Sequence, residues 1–153
     1  MKLYFTLTIL FLFTTSRALS QDSIALSMLN TVNAIRITGC QYGSQKMPSV
    51  SPLKWNAKLE MAALRQVKYI AAKGILSHVG SYGSEVSSRV DEVGYNWTCV
   101  GENIASGYIS VSSVVTCWIE STPHCMNMMN GSFTEMGAAN KGAFWVQVFG
   151  NDN

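Results

Sequence analysis

Near residue 133 the chain changes its hydrophobic period, and this limits its folds more than any other feature. Residues 133–139 and 143–149 flank Asn140-Lys141-Gly142, a turn-forming cluster, and read as a β-hairpin. Everything before them runs mainly at helical period. Residues 23–38 place Ile24, Met28, Leu29, Val32 and Ile35 on one stripe, and Gly39 stops it. A second helix starts behind Asn56, buries Leu59, Ala62, Ala63, Val67 and Ile70, and ends at Gly74. A small helix is expected near Ser84–Val93, closed by Gly94, and a strand over Val100–Ala105. Ser110 caps another helix with Val111, Val114, Val115 and Trp118 on one side, and Pro123 begins a short helical turn. Residues 41–54, rich in Ser, Gly and Pro, read as loop. Helices first and a hairpin last give an α+β chain, with strands between helical layers.

The first twenty residues have the pattern of an export signal. Met1-Lys2 gives a positive start, Leu3–Phe13 is an uncharged, largely apolar run, and Ala18-Leu19-Ser20 offers small residues for cleavage. The run falls short of the about 20 residues that a permanent spanning helix needs; an uncleaved anchor is the alternative. The expected organisation is a signal peptide over 1–20 and one domain over 21–153. Removing the signal leaves 133 residues, enough for one domain with a core. Lys2 and Arg17 go with it, so nine basic residues face nine acidic ones and the +2 of the whole chain disappears. No charge field remains for nucleic acid or anionic lipid, and a nucleic-acid partner is not expected.

All four cysteines, Cys40, Cys99, Cys117 and Cys125, follow the signal. An even count in an exported chain favours disulfides, with three connectivities open. There is no Cys-x-x-Cys pair to suggest a zinc ribbon or redox motif. Asn96-Trp97-Thr98 and Asn130-Gly131-Ser132 fit the glycosylation sequon, which also occurs by chance. Trp55, Trp118, Trp145, Phe133 and Phe149 read as core, and the methionines at 126, 128 and 129 as packing at a helix–sheet seam.

Seven landmarks then occur in a telling order. Asn33-Ala34-Ile35-Arg36 lies in the first helix and Leu53-Lys54-Trp55-Asn56 leads into the second. Ser77-His78, Gly101-Glu102-Asn103-Ile104-Ala105 and Trp118-x-x-Ser121-x-x-His124 follow. Phe133-Thr134-Glu135-Met136-Gly137 and Trp145-Val146-Gln147-Val148-Phe149-Gly150 complete the set. Over roughly residues 26–150 the chain resembles the CAP superfamily of cysteine-rich secretory, antigen 5 and pathogenesis-related proteins, in particular its short bacterial-type branch (the SCP domain).

That resemblance implies a three-layer α/β/α sandwich with an antiparallel central sheet and an open cavity. Two His and two Glu often line the cavity and can hold a divalent metal such as zinc. His78 matches the first His and Glu102 the first Glu. Ser121 stands where animal and plant members carry the second Glu, with Glu120 one residue out of register. Phe144 stands where those members carry the second His, while His124 satisfies the bacterial-type position. The cavity set is therefore His78, Glu102, Ser121 and His124, with His78, His124 and Glu102 as metal donors. The resemblance also implies a Cys40–Cys125 disulfide, with Cys99–Cys117 as the remaining pair.

Two imidazoles and a carboxylate can form a divalent-metal half-shell or carry acid–base chemistry. Ser121 lacks a Gly-x-Ser-x-Gly elbow and an evident oxyanion hole, so a serine hydrolase has little support. Each residue also has a structural reading: His78 as a surface or capping residue, Glu102 as the acceptor of a turn, Ser121 and His124 as caps. The leading expectation is a secreted monomer, at the cell surface or in the periplasm if bacterial. It acts by binding a lipid, sterol, other hydrophobic small molecule or extracellular protein. The rivals are a metal-dependent hydrolase of peptide or cell-wall substrates and a structural or adhesive surface domain. The chain lacks the Pro-rich aromatic loop associated with sterol binding in some relatives.

Overall fold

The computed structural model describes residues 7–42 and 45–152, with side chains from Ser23 onward apart from Tyr42. The first six residues of the expected signal, and all side chains through its end, lie outside that description. Five helices and six strands follow one another as α1 (Leu7–Thr38), β1 (Cys40–Tyr42), β2 (Gln45–Met47), β3 (Lys54–Trp55), α2 (Ala57–Lys73), α3 (Val86–Glu92), β4 (Trp97–Ser106), α4 (Val111–Ile119), α5 (Thr122–Met128), β5 (Glu135–Lys141) and β6 (Phe144–Asp152). Among the described residues no helix is long and apolar enough to cross a membrane.

Local chemistry sets most of these boundaries. The Asn56 side chain accepts from the Lys58 and Leu59 amides at the start of α2, and Gly74 ends the helix in the left-handed conformation at φ 66°. Ser110 and Ser113 form a reciprocal capping box on α4. Pro123 lies in the first turn of α5, where a missing amide hydrogen costs nothing.

The main sheet has the order β3-β5-β6-β4. β6 is antiparallel to both β4 and β5, but β3 runs parallel to β5 through Lys54–Glu135 and Trp55–Met136. The central sheet is thus antiparallel except for this edge pairing, whose two strands are separated in sequence by the long crossover from α2 to α5. The stretch read as loop also contains the small β1–β2 hairpin.

Both faces of the sheet are covered. Met28 and Val32 of α1, Val114, Val115 and Trp118 of α4 and Met128 of α5 pack with Trp145 and Phe149 on one face. Leu59, Ala63, Val67 and Ile70 of α2 and Val90 of α3 pack with Ile104, Val146 and Val148 on the other. The expected α/β/α sandwich is therefore present. Trp118, Trp145, Phe133 and Phe149 are core, whereas Trp55 is only half-buried. Of the three methionines near α5, Met128 and Met129 are buried but Met126 points outward.

β4 closes one edge of the sheet. Edge carbonyls need cover, and here the Asn127 amide donates to the Glu102 carbonyl while the Trp118 indole donates to that of Ile104. Consecutive β4 side chains face opposite layers, so Glu102 points to the α2–α3 side and Asn103 to the α5 side. The candidate site forms around this edge.

Candidate functional site

His78 lies in the loop after α2, and its side chain is 59% exposed. Its Nδ1 meets Glu102 Oε1 at 2.8 Å. The other carboxylate oxygen, Oε2, accepts from Arg89 Nη2 at 2.6 Å. Glu102 and Arg89 are almost wholly enclosed, at 2% and 3% side-chain exposure. With Nδ1 donating to the carboxylate, the imidazole presents Nε2 outward as an acceptor when neutral.

The loop carrying His78 is tied down from below. Gln66 of α2 donates to the Ser77 carbonyl at 2.6 Å, and Arg89 Nη1 donates to the carbonyls of His78 and Ser84. Arg89 therefore holds both the carboxylate and the loop. Sequence reading missed it, although a signal was available: the one basic residue on a short helix, beside the inward-facing Val90. Asn103 and Gln147 are polar residues in apolar strands and are also fully buried. Asn103 donates to Gln147 and to the His124 carbonyl, which fixes α5 against β4.

His124 approaches from α5, half-buried. Its Nδ1 is buried without a hydrogen-bond partner. Burial lowers its pKa from the ordinary histidine value, and the nearby His78 lowers it further. The unfolded chain therefore binds a proton first as pH falls below about 6.5. Stability is expected to be full above that value and to decline below it, until the folded-state imidazole also protonates. Urea unfolding of wild type and His124→Asn between pH 7.5 and 5 checks this; the variant should show a flatter profile.

His78, Glu102 and His124 thus gather at one edge, with His78 and Glu102 lining a cleft of about 220 Å³ beside Val79, Glu85 and Val86. Ser121 is the N-cap position of α5, but its side chain makes no capping bond and nothing described ties it to the His78–Glu102 pair.

Glu102 spends one oxygen on a buried guanidinium and the other on His78. Among the described residues no three His, Cys, Asp or Glu side chains are placed to hold a metal ion. Glu102 orients an imidazole here.

All four cysteines are free thiols in the structure. Cys99 sits near the start of β4 with its thiol 3.7 Å from the Ser132 carbonyl. Cys117 neighbours the Tyr108 hydroxyl, beyond the other end of β4. A strand of roughly 20 Å separates the two neighbourhoods. Cys40 and Cys125 are different, for their sulfurs lie 2.8 Å apart.

Comparison with known proteins decides the family. Residues 29–149 match the model of the cysteine-rich secretory protein family, CAP. The chain belongs to the CAP family. Two Bacillus subtilis proteins are similar in sequence. YkwD is 29% identical over 103 residues, 65% of this chain and 40% of its own length. The membrane protein YlbC is 24% identical over 129 residues, 84% of this chain and 35% of its own length. The chain thus spans well under half of these curated relatives. Among solved structures, an extracellular Bacillus anthracis protein containing an SCP domain gives a TM-score of 0.75 at 19% identity, covering 86% of this chain and 41% of that one. The outer surface protein of Borrelia burgdorferi gives 0.61 at 18% identity, covering 90% and 92%. These structures establish the CAP fold; the site residues rest on the geometry above.

Proposed function

We propose that this CAP domain is exported through its first twenty residues and works outside the cell by binding, with the β4-edge cleft as its binding site. The carrying observation is that both Glu102 oxygens are engaged. A buried carboxylate locked between Arg89 and His78 positions an imidazole. That favours recognition over metal-dependent hydrolysis. The surroundings suit an amphiphile. Val79 and Val86 line the cleft, and Ile75 and Leu76, just before His78 in the chain, stand exposed at 61% and 47%. An acyl chain can cover those side chains while its polar head accepts from or donates to His78.

The test is titration of the purified chain with lauric acid, followed by calorimetry and native mass spectrometry. His78→Ala should weaken binding about tenfold, the scale of one hydrogen bond to a charged group. Equal binding by wild type and variant, or no bound amphiphile at any concentration below micelle formation, would sink this reading.

A further inference from the structure

A second hollow, of about 460 Å³, lies on the opposite side of the segment that carries His78, between α2, α3 and the 3-10 turn Ser81–Gly83. Its chemistry differs from that of the first. Arg65 and Lys68 of α2 stand on its wall, and Glu92 of α3 pairs with Arg65. Lys68 is exposed and makes no ion pair or hydrogen bond among the described residues. The charge of Arg89, at the base of the hollow, is matched by Glu102. The hollow therefore keeps one unmatched positive charge.

Tyr82 is the second observation. It is the one non-glycine residue with positive φ among the described residues, at 55°. A bulky side chain pays about 1–3 kcal/mol for such backbone. The turn enforces it: the Gly80 amide donates to the Ser84 carbonyl at 2.8 Å, and Arg89 holds that same carbonyl. Yet the ring packs on nothing and is fully exposed. Strain that displays an aromatic ring in solvent has no use in the free fold, since apolar area is normally buried when it stabilises. Two of the lining residues, Gln66 and Arg89, also keep a buried polar atom without a partner, the Gln66 side-chain oxygen and Arg89 Nε.

We infer that this hollow is a second binding site, for an anionic sugar of the hexuronic acid class. The apolar face of the pyranose stacks on Tyr82, the carboxylate pairs with Lys68 and Arg65, and the sugar hydroxyls meet Ser81 and Ser84. A linear fatty acid would leave the ring and the hydroxyls unused. Inorganic phosphate would use the cations alone.

The experiment titrates the full chain with a galacturonic acid tetrasaccharide, its neutral methyl ester and inorganic phosphate, read by calorimetry and ¹⁵N NMR. The acid should bind, with the ester at least about tenfold weaker and phosphate failing to compete. Lys68→Met should weaken the acid about tenfold, in the range of a charged hydrogen bond. Tyr82→Gly should fold at least as stably as wild type, because glycine accepts this backbone, and should lose most binding; Tyr82→Phe should keep it. An ester that binds as well as the acid overturns the proposal, as does equal competition by phosphate or full binding by Tyr82→Gly. Lauric acid binding at the His78 cleft should be unchanged in Lys68→Met, so the two sites fail or stand separately.

Discussion

Arg89→Met is expected to lower the unfolding free energy by about 3–5 kcal/mol, the usual consequence of removing one partner from a buried ion pair. Methionine keeps much of the volume but leaves Glu102 without its cation at 2% side-chain exposure. It also strips the carbonyls of His78 and Ser84 of their donor, so the 77–84 loop should exchange its amide hydrogens faster than the rest of the domain. The double variant Arg89→Met/Glu102→Leu separates the two causes. It removes the stranded charge and should recover most of the lost stability, since apolar replacement of a whole buried pair is often neutral or better. The loop should stay loose in both variants. Urea unfolding and hydrogen exchange read the two effects independently. A single variant within 1 kcal/mol of wild type would mean that the guanidinium does not neutralise a buried carboxylate.

The Arg89 case also marks how far sequence reading reaches. Elements fixed by short-range chemistry were legible: α2 between Asn56 and Gly74, α4 behind Ser110, and a hairpin around Asn140–Gly142 whose last strand runs on by three residues. Pairings made by distant segments were not. Nothing in Lys54-Trp55 announces a parallel partner at Glu135-Met136, and the β1–β2 hairpin lies in a stretch whose composition reads as loop. For the site, the family resemblance picked out His78, Glu102 and His124, and the first two are in direct contact. Their roles could not be inferred in the same way, because a role depends on what each polar atom meets. The sequence around Glu102 does not show that Arg89, thirteen residues away, holds one of its oxygens. Ser121 occupied a family position without acquiring contacts to the other three.

Oxidation should join Cys40 to Cys125 and raise stability by about 4 kcal/mol over the reduced protein on the chain-entropy model. The two sulfurs already lie 2.8 Å apart across 85 residues of chain. Burial and the adjacent Cys40 push the Cys125 thiol up to about 12, so it is a poor nucleophile near neutral pH. Cys40 is less buried and is the sulfur expected to attack an oxidant such as oxidised glutathione. Cys125 then displaces glutathione from the mixed disulfide. In sum two thiols lose two protons and two electrons, and one oxidised glutathione becomes two reduced molecules. The bridge would anchor α5, and with it His124, to the segment after α1, so it serves the site as well as the fold. A non-reducing peptide map should link the Cys40 and Cys125 peptides, leaving Cys99 and Cys117 alkylatable. The midpoint of urea unfolding should fall on reduction in wild type but not in Cys40→Ser. A map that joins Cys40 to any other cysteine, or a wild-type midpoint indifferent to reductant, would refute the pairing.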